Sequence, residues 1–195
     1  MIHKLDRLKS VIRQSDTLDG KKKENSAEHS WQCTMMALLF RSSSESSFDM
    51  EKVLSMLVLH DVGEIDAGDV SLYSSCRKEE QYRKELCAVE SLFLKTDPEL
   101  VEIWKEFEEG ITLESKYARA IDRIAGLLSS HFNETSCWNE EDMTVEKILE
   151  KNRAIQQGLP SLWANFENLV FQASEEGKIG MTHDKVMEGP GKVID

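Results

Sequence analysis

Apolar residues recur along the chain at spacings of three and four, the period of an amphipathic helix, and no convincing strand pattern stands out. Ile2, Leu5, Leu8, Val11 and Ile12 predict an opening helix that ends near Ser15, before the turn-forming Leu18-Asp19-Gly20. A second helix is expected from Ala27 to Arg41 with Ser26 as its N-cap. Both its His29, Cys33, Met36, Phe40 line and its Trp31, Met35, Leu38, Leu39 line are largely apolar, so it belongs in the core. After the serine-rich loop Ser42 to Ser47, the stretch Val53-Leu54-Ser55-Met56-Leu57-Val58-Leu59 leads to His60. Its Asp49-Met50-Glu51-Lys52 lead-in favours a buried helix over a strand. Gly63 and Gly68 then bend the chain.

Tyr82, Leu86, Val89 and Phe93 mark a fourth helix, and Leu100, Ile103, Trp104 and Phe107 a fifth that begins at Asp97-Pro98, the pair forming a helical hairpin. A sixth, from about Leu113 to Phe132, carries Asp122 on a face of small residues: Ala118, Ala125, Gly126 and Ser129. Helices over Met143 to Gln157 and Leu159 to Ala173 complete the series. The expected architecture is all-α, an irregular bundle of about seven or eight helices. Residues 1–176 form one domain, and residues 177–195, rich in glycine and without periodicity, form a flexible tail.

A net charge of −12 repels long polyanions, so a grip on a nucleic acid polymer is not expected. Small phosphorylated ligands need only a local positive spot, supplied by Lys21-Lys22-Lys23 or by a bound cation; the lysine run on its own reads as a solvated loop. The four cysteines show no C-x-x-C pairing, which fits reduced thiols in a cytosol. No apolar stretch approaches the roughly 18 residues of a membrane span. A cytoplasmic protein without a membrane anchor is expected.

Polar side chains inside apolar helices need a reason, because a buried carboxylate or imidazole without a partner costs several kcal/mol. His29 lies in the first turn of one such helix, His60-Asp61 ends another, and Asp122 sits mid-helix in a third. Their convergence would surround one point with two imidazoles and two carboxylates, a set suited to manganese, cobalt, iron, magnesium or zinc. Each residue alone has a plainer reading. A buried histidine is commonly a hydrogen-bonded core residue, and Asp122 has Arg119 and Arg123 nearby as ion-pair partners. The second His-Asp pair, His183-Asp184, lacks an apolar helix before it and reads as loop.

The segments Glu24-Asn25-Ser26-Ala27-Glu28-His29-Ser30-Trp31, Leu59-His60-Asp61-Val62-Gly63-Glu64 with Gly68-Asp69, and Ala120-Ile121-Asp122-Arg123 occur in that order. Together they resemble the HD-domain phosphohydrolases, nearest to the branch containing the 5'-deoxynucleotidases. The resemblance spans about Leu5 to His131 and implies an all-helical fold with His29, His60, Asp61 and Asp122 as metal ligands. It implies that Glu64 assists proton transfer or orients the attacking water, that Asp69 touches substrate or a second cation, and that Arg13 orients the phosphate. Without it, Glu64 reads as a first-turn charge and Arg13 as an exposed helix-end cation. The family's bacterial deoxynucleotidases carry an aromatic residue after that arginine, pressing on the sugar. Here it is Gln14, an amide able to meet a 2'-hydroxyl, so discrimination against ribose is not carried over.

The expected activity is therefore release of phosphate from (deoxy)nucleoside 5'-monophosphates, with a divalent cation lowering the pKa of water. The alternatives are hydrolysis of another phosphate ester or anhydride and a nucleotide-sensing module without turnover. Related proteins are often dimers, and a homodimer is expected.

Overall fold

The computed structural model describes residues 1–44, 47–73, 78–133, 136–140 and 142–180. The expected tail lies largely outside them, as does His183-Asp184. Among the described residues the architecture is all-α apart from one small hairpin. The chain opens with α1 (Ile2–Asp6) and a 3-10 turn (Arg7–Ser10), then runs through β1 (Ile12–Asp16) and β2 (Lys23–Asn25) before entering α2 (Ser26–Leu39). Here the expected single helix to Ser15 is corrected. The backbone becomes extended at Val11, whose carbonyl accepts from Ser26 N–H at 3.0 Å, and β1 pairs antiparallel with β2, Ile12 opposite Asn25 and Asp16 opposite Lys23. Tertiary pairing overrides a weak local helical pattern that Val11-Ile12, both β-branched, did little to support. Arg13 and Gln14 consequently lie on a strand.

Asn25, one residue before the expected cap, accepts from Glu28 N–H, while the Glu28 carboxylate accepts from Asn25 N–H, closing a capping box at the start of α2. Asp49 caps α3 (Met50–Leu59), which ends at His60. The chain then turns into the short α4 (Glu64–Ala67). Gly63 permits that turn because α5 (Lys78–Phe93) crosses so closely that a Cβ there would lie 2.6 Å from Glu85 Cβ. Pro98 occupies the first turn of α6 (Pro98–Glu109), and Thr112 caps α7 (Leu113–Phe132). The expected helix over Met143 to Gln157 is two helices, α8 (Val145–Lys151) and α9 (Arg153–Gly158), before α10 (Pro160–Glu175). They part at Asn152, whose side-chain N–H group donates to the Ile148 carbonyl and to Tyr73 Oη.

Two apolar clusters hold the molecule. The larger gathers Cys33, Met36 and Ala37 of α2, Val53, Met56 and Leu57 of α3, the Tyr117, Ile121 and Ile124 face of α7, and residues of α8 to α10. The second joins Leu8 and Leu59 to Val89, Leu92 and Phe93 of α5 and Val101 and Trp104 of α6. α3 contributes to both, and its C-terminal end, where His60 and Asp61 sit, falls where they meet. α2 is not wholly interior as expected: its second apolar line is exposed, Trp31 at 67% and Leu39 at 72%.

Candidate metal centre

His60 closes α3 with its ring fixed from behind. Nδ1 lies 2.9 Å from the Leu57 carbonyl oxygen, which can only accept, so Nδ1 carries the proton and Nε2 turns its lone pair into the site. Trp104 Nε1 donates to the His60 carbonyl at 3.0 Å and anchors the same residue through the backbone. Nε2 is buried without a hydrogen-bond partner, 3.2 Å from Asp61 Oδ1 and 4.0 Å from Asp122 Oδ1. A neutral imidazole nitrogen left facing carboxylate oxygens is unfavourable unless a cation stands between them, which is the arrangement of a metal ligand.

His29 faces the same point from α2. Its Nε2 lies 3.0 Å from Asp122 Oδ1 and its Nδ1 3.3 Å from Glu24 Oε2, the outer carboxylate that orients many metal-binding histidines. Burial opposes charge on His29, yet Cys33 and the bonded Asp122 outweigh it and hold its pKa above the ordinary histidine range. A proton at that Nε2 and a cation there are alternatives. Burial pulls His60 the other way, below its usual value. Asp122, on the small-residue face of α7, is half-buried, and while desolvation opposes its charge, Arg123 at 3.2 Å and the two histidines keep it well below the carboxylate range. The donor set fits a borderline divalent cation, with His29, His60 and Asp122 able to hold it and Asp61 beside them.

The substrate side is built on the hairpin. Ser129 Oγ of α7 donates to the Asp16 carbonyl at 2.7 Å and Asn133 to the Thr17 carbonyl at 3.2 Å, tying β1 to the helix that carries Asp122. Arg13 thereby reaches Asp61 Oδ2 at 2.9 Å and Asp69 Oδ1 at 3.8 Å, while its buried Nε makes no hydrogen bond. Asp69 accepts from Gln14 N–H at 3.2 Å, and burial raises its pKa. Glu64 accepts a 2.6 Å bond from Ser26 Oγ; burial, then the charge of Asp61, push it up to about 9 against the pull of Arg13 and Ser26. A cavity of about 340 Å³ opens over these groups, large enough for a small organic ligand.

Of the residues singled out from the sequence, Arg13, Gln14, His60, Asp61, Glu64, Asp69 and Asp122 all line this cavity, and His29 meets it through Asp122. The positive spot comes from Arg13, Arg119 and Arg123. Lys21, Lys22 and Lys23 pair instead with Asp19, Glu28 and Asp16. Sequence alone assigns Glu24 and Cys33 no role in the site and Ser26 only that of a helix cap. Glu24 directly follows the lysine run, yet it is only 5% exposed. Cys33 offered a usable signal, standing four residues after His29 on the same helix face.

The model of the HD domain matches residues 5–163. The chain is 28% identical over 115 residues to the 5'-deoxynucleotidase HDDC2 of Xenopus laevis, a match covering 56% of this chain and 55% of that protein. It spans about half the length of that relative. With the 5'-deoxynucleotidase hdd1 of Schizosaccharomyces pombe it shares 26% identity over 170 residues, 83% of each chain. A crystal structure of a predicted metal-dependent phosphohydrolase from Magnetospirillum magnetotacticum MS-1 superposes with a TM-score of 0.79 at 30% identity, covering 91% of this chain and 94% of the other. A Pyrococcus furiosus protein at 21% identity and TM-score 0.61, covering 86% and 96%, shares the fold.

Proposed function

Since the chain belongs to the HD domain family, we propose that it is a metal-dependent phosphohydrolase releasing phosphate from nucleoside 5'-monophosphates, with His29, His60, Asp61 and Asp122 holding one divalent cation. The observation that carries this reading is the buried, unpartnered Nε2 of His60 aimed at carboxylates from two different elements. When bound, the cation supplies a Lewis acid that acidifies water and offsets phosphoryl charge.

The remaining work falls to this chain's side chains. Arg13 presents a planar fork to the phosphoryl oxygens, a geometry that lysine lacks, and Asp61 and Asp69 hold that fork in place. Burial and the charge of Asp61 favour the protonated form of Glu64, and added positive charge favours release of that proton. It is thus suited to move a proton between the attacking water and the leaving sugar oxygen. Gln14, exposed at the cavity mouth, leaves room for a 2'-hydroxyl, so ribonucleotides and deoxyribonucleotides are both accepted.

The test is a panel of nucleotides and sugar phosphates with manganese or cobalt added. Nucleoside 5'-monophosphates are expected to release phosphate, and silence across the panel removes the reading. Glu64→Ala should keep metal and nucleotide while turnover falls roughly 10²- to 10⁴-fold; unchanged turnover refutes the role of Glu64.

A homodimer is part of the same proposal. Trp31, Met35, Leu38 and Leu39 stand exposed along α2, Val58 of α3 is exposed as well, and no charged residue occurs between His29 and Arg41. In an acidic chain, such an uncharged face is where two copies meet at least electrostatic cost. Sedimentation should report a dimer that Trp31→Glu converts to monomer. A cytoplasmic setting accords with Cys33, Cys87 and Cys137 being free thiols, and no described helix is long and apolar enough to cross a membrane.

A further inference from the structure

Cys33 stands one helical turn after His29 and is completely buried. Its Sγ lies 3.4 Å from His29 Nε2, the same ring nitrogen that meets Asp122 Oδ1 at 3.0 Å. Ligand atoms of His29, Cys33, His60 and Asp122 all fall within 4.8 Å of one another. Asp61 directs Oδ2 to Arg13 and keeps Oδ1 3.2 Å from His60 Nε2.

A buried cysteine usually packs as a small apolar residue, so burial alone decides nothing. The spacing does more. With metal–nitrogen bonds of about 2.0–2.1 Å and metal–sulfur bonds of about 2.3 Å, neighbouring ligand atoms in octahedral or tetrahedral geometry stand roughly 3.1–3.6 Å apart. The observed 3.4 Å falls inside that window. Independently, His60 Nε2 faces the same cluster without a partner, on a side chain only 3% exposed.

We propose that Cys33 is itself a ligand of the cation, so that a thiolate joins the imidazoles and carboxylates. The inference rests on the reading of this site as a metal centre and extends it to the class of ion. Sulfur is a soft donor that disfavours magnesium and calcium, so the site takes zinc, cobalt(II) or iron(II) in preference. On binding, the Cys33 S–H bond breaks as the sulfur–metal bond forms, and the proton leaves to solvent.

Cobalt(II) titration of the metal-free full-length chain tests this with an optical readout independent of turnover. The expected spectrum has visible ligand-field bands together with a sulfur-to-cobalt charge-transfer band in the near ultraviolet. In Cys33→Ser and Cys33→Ala the charge-transfer band disappears while the visible bands remain. Zinc affinity falls in these variants by at least the roughly 10- to 100-fold that loss of an outer partner costs, and magnesium affinity stays as it was. Visible bands without charge transfer in the unmodified chain overturn the role of Cys33 and leave the metal centre standing. Absence of any cobalt binding, by spectrum and by calorimetry, removes the metal centre and this proposal together. A charge-transfer band that survives in Cys33→Ser belongs to another cysteine and overturns the assignment. Should both variants fail to fold, X-ray absorption on the zinc-loaded unmodified chain decides, through the presence or absence of one sulfur at about 2.3 Å.

Discussion

Replacing Glu24 with glutamine alters no proposed ligand, yet should weaken the metal centre. One carboxylate oxygen of Glu24 serves both His29 Nδ1, at 3.3 Å, and Arg13 Nε, at 3.5 Å. At an effective dielectric of about 20, unit charges at such a separation attract by about 5 kcal/mol. Much of this is offset by the cost of keeping a carboxylate in a position only 5% exposed. What survives is the orienting effect, and loss of an outer partner of a metal-binding histidine costs roughly 10- to 100-fold in affinity. Both contacts are longer than the about 2.7–2.9 Å of a tight charge-assisted bond, which places Glu24→Gln near the lower end: about tenfold, or about 1.4 kcal/mol. Competition with a chelator of known affinity measures it, with zinc or cobalt as the probe. Glu24→Ala should be worse, since the amide can still accept one bond and a methyl group accepts none. Affinities equal to the unmodified protein in both variants would show that His29 needs no support from the hairpin, and the account of the site given above would be wrong.

Removing the cation by chelation should lower the melting temperature by about 5–11 °C, as expected from about 2.7 kcal/mol of binding at a hundredfold excess over Kd; His60→Ala should abolish that response, and a melting temperature indifferent to metal in the unmodified chain contradicts the linkage. Gly158→Ala sets helix propensity against packing, because the new Cβ would stand 2.1 Å from the Lys116 carbonyl oxygen and 2.8 Å from Ala120 Cβ. Backbone cannot swing aside, so a loss of about 2 kcal/mol is expected despite alanine's preference for helix, and denaturant unfolding that shows a gain refutes it. Burial lifts the Glu85 carboxyl to about 7 against the bond it accepts from Gln81. The folded protein therefore holds this proton longer than the unfolded chain, and the stability it contributes is complete below the ordinary carboxylate range and lost as pH rises through about 7. Between about pH 5 and pH 8 the parent should lose about 1–2 kcal/mol relative to Glu85→Gln, allowing for partial exposure; parallel stability curves across that window count against it.

The long helices were readable because their apolar residues keep one period for several turns and their ends carry explicit signals: Asp49 before α3, Pro98 inside α6, Thr112 before α7. The acidic and imidazole groups stood out for the opposite reason, as polar residues on otherwise apolar faces. The hairpin was not readable. β1 and β2 make sense only as a pair, and nothing local in Ile12 to Asp16 announces a partner seven to thirteen residues later. Asn152 was missed for a similar reason: its side chain ends α8 by bonding Tyr73, a residue far away in sequence. Glu24 shows the limit of reading charge by neighbourhood, since three lysines before it suggest solvent while its own side chain points inward.

Three consecutive residues where β2 passes into α2 hold three unrelated tasks: Glu24 steadies His29, Asn25 starts the helix, and Ser26 bonds Glu64. Sliding the chain by a single position there would misdirect all three at once. Beyond Thr17, whose carbonyl is tied to Asn133, residues 18–22 are exposed and free of that constraint, with Lys21 paired to Asp19 within the turn. Length variation between Arg13 and His29 should therefore be absorbed by that turn and excluded from the junction. The junction sets the frame in which the two halves of the site face each other.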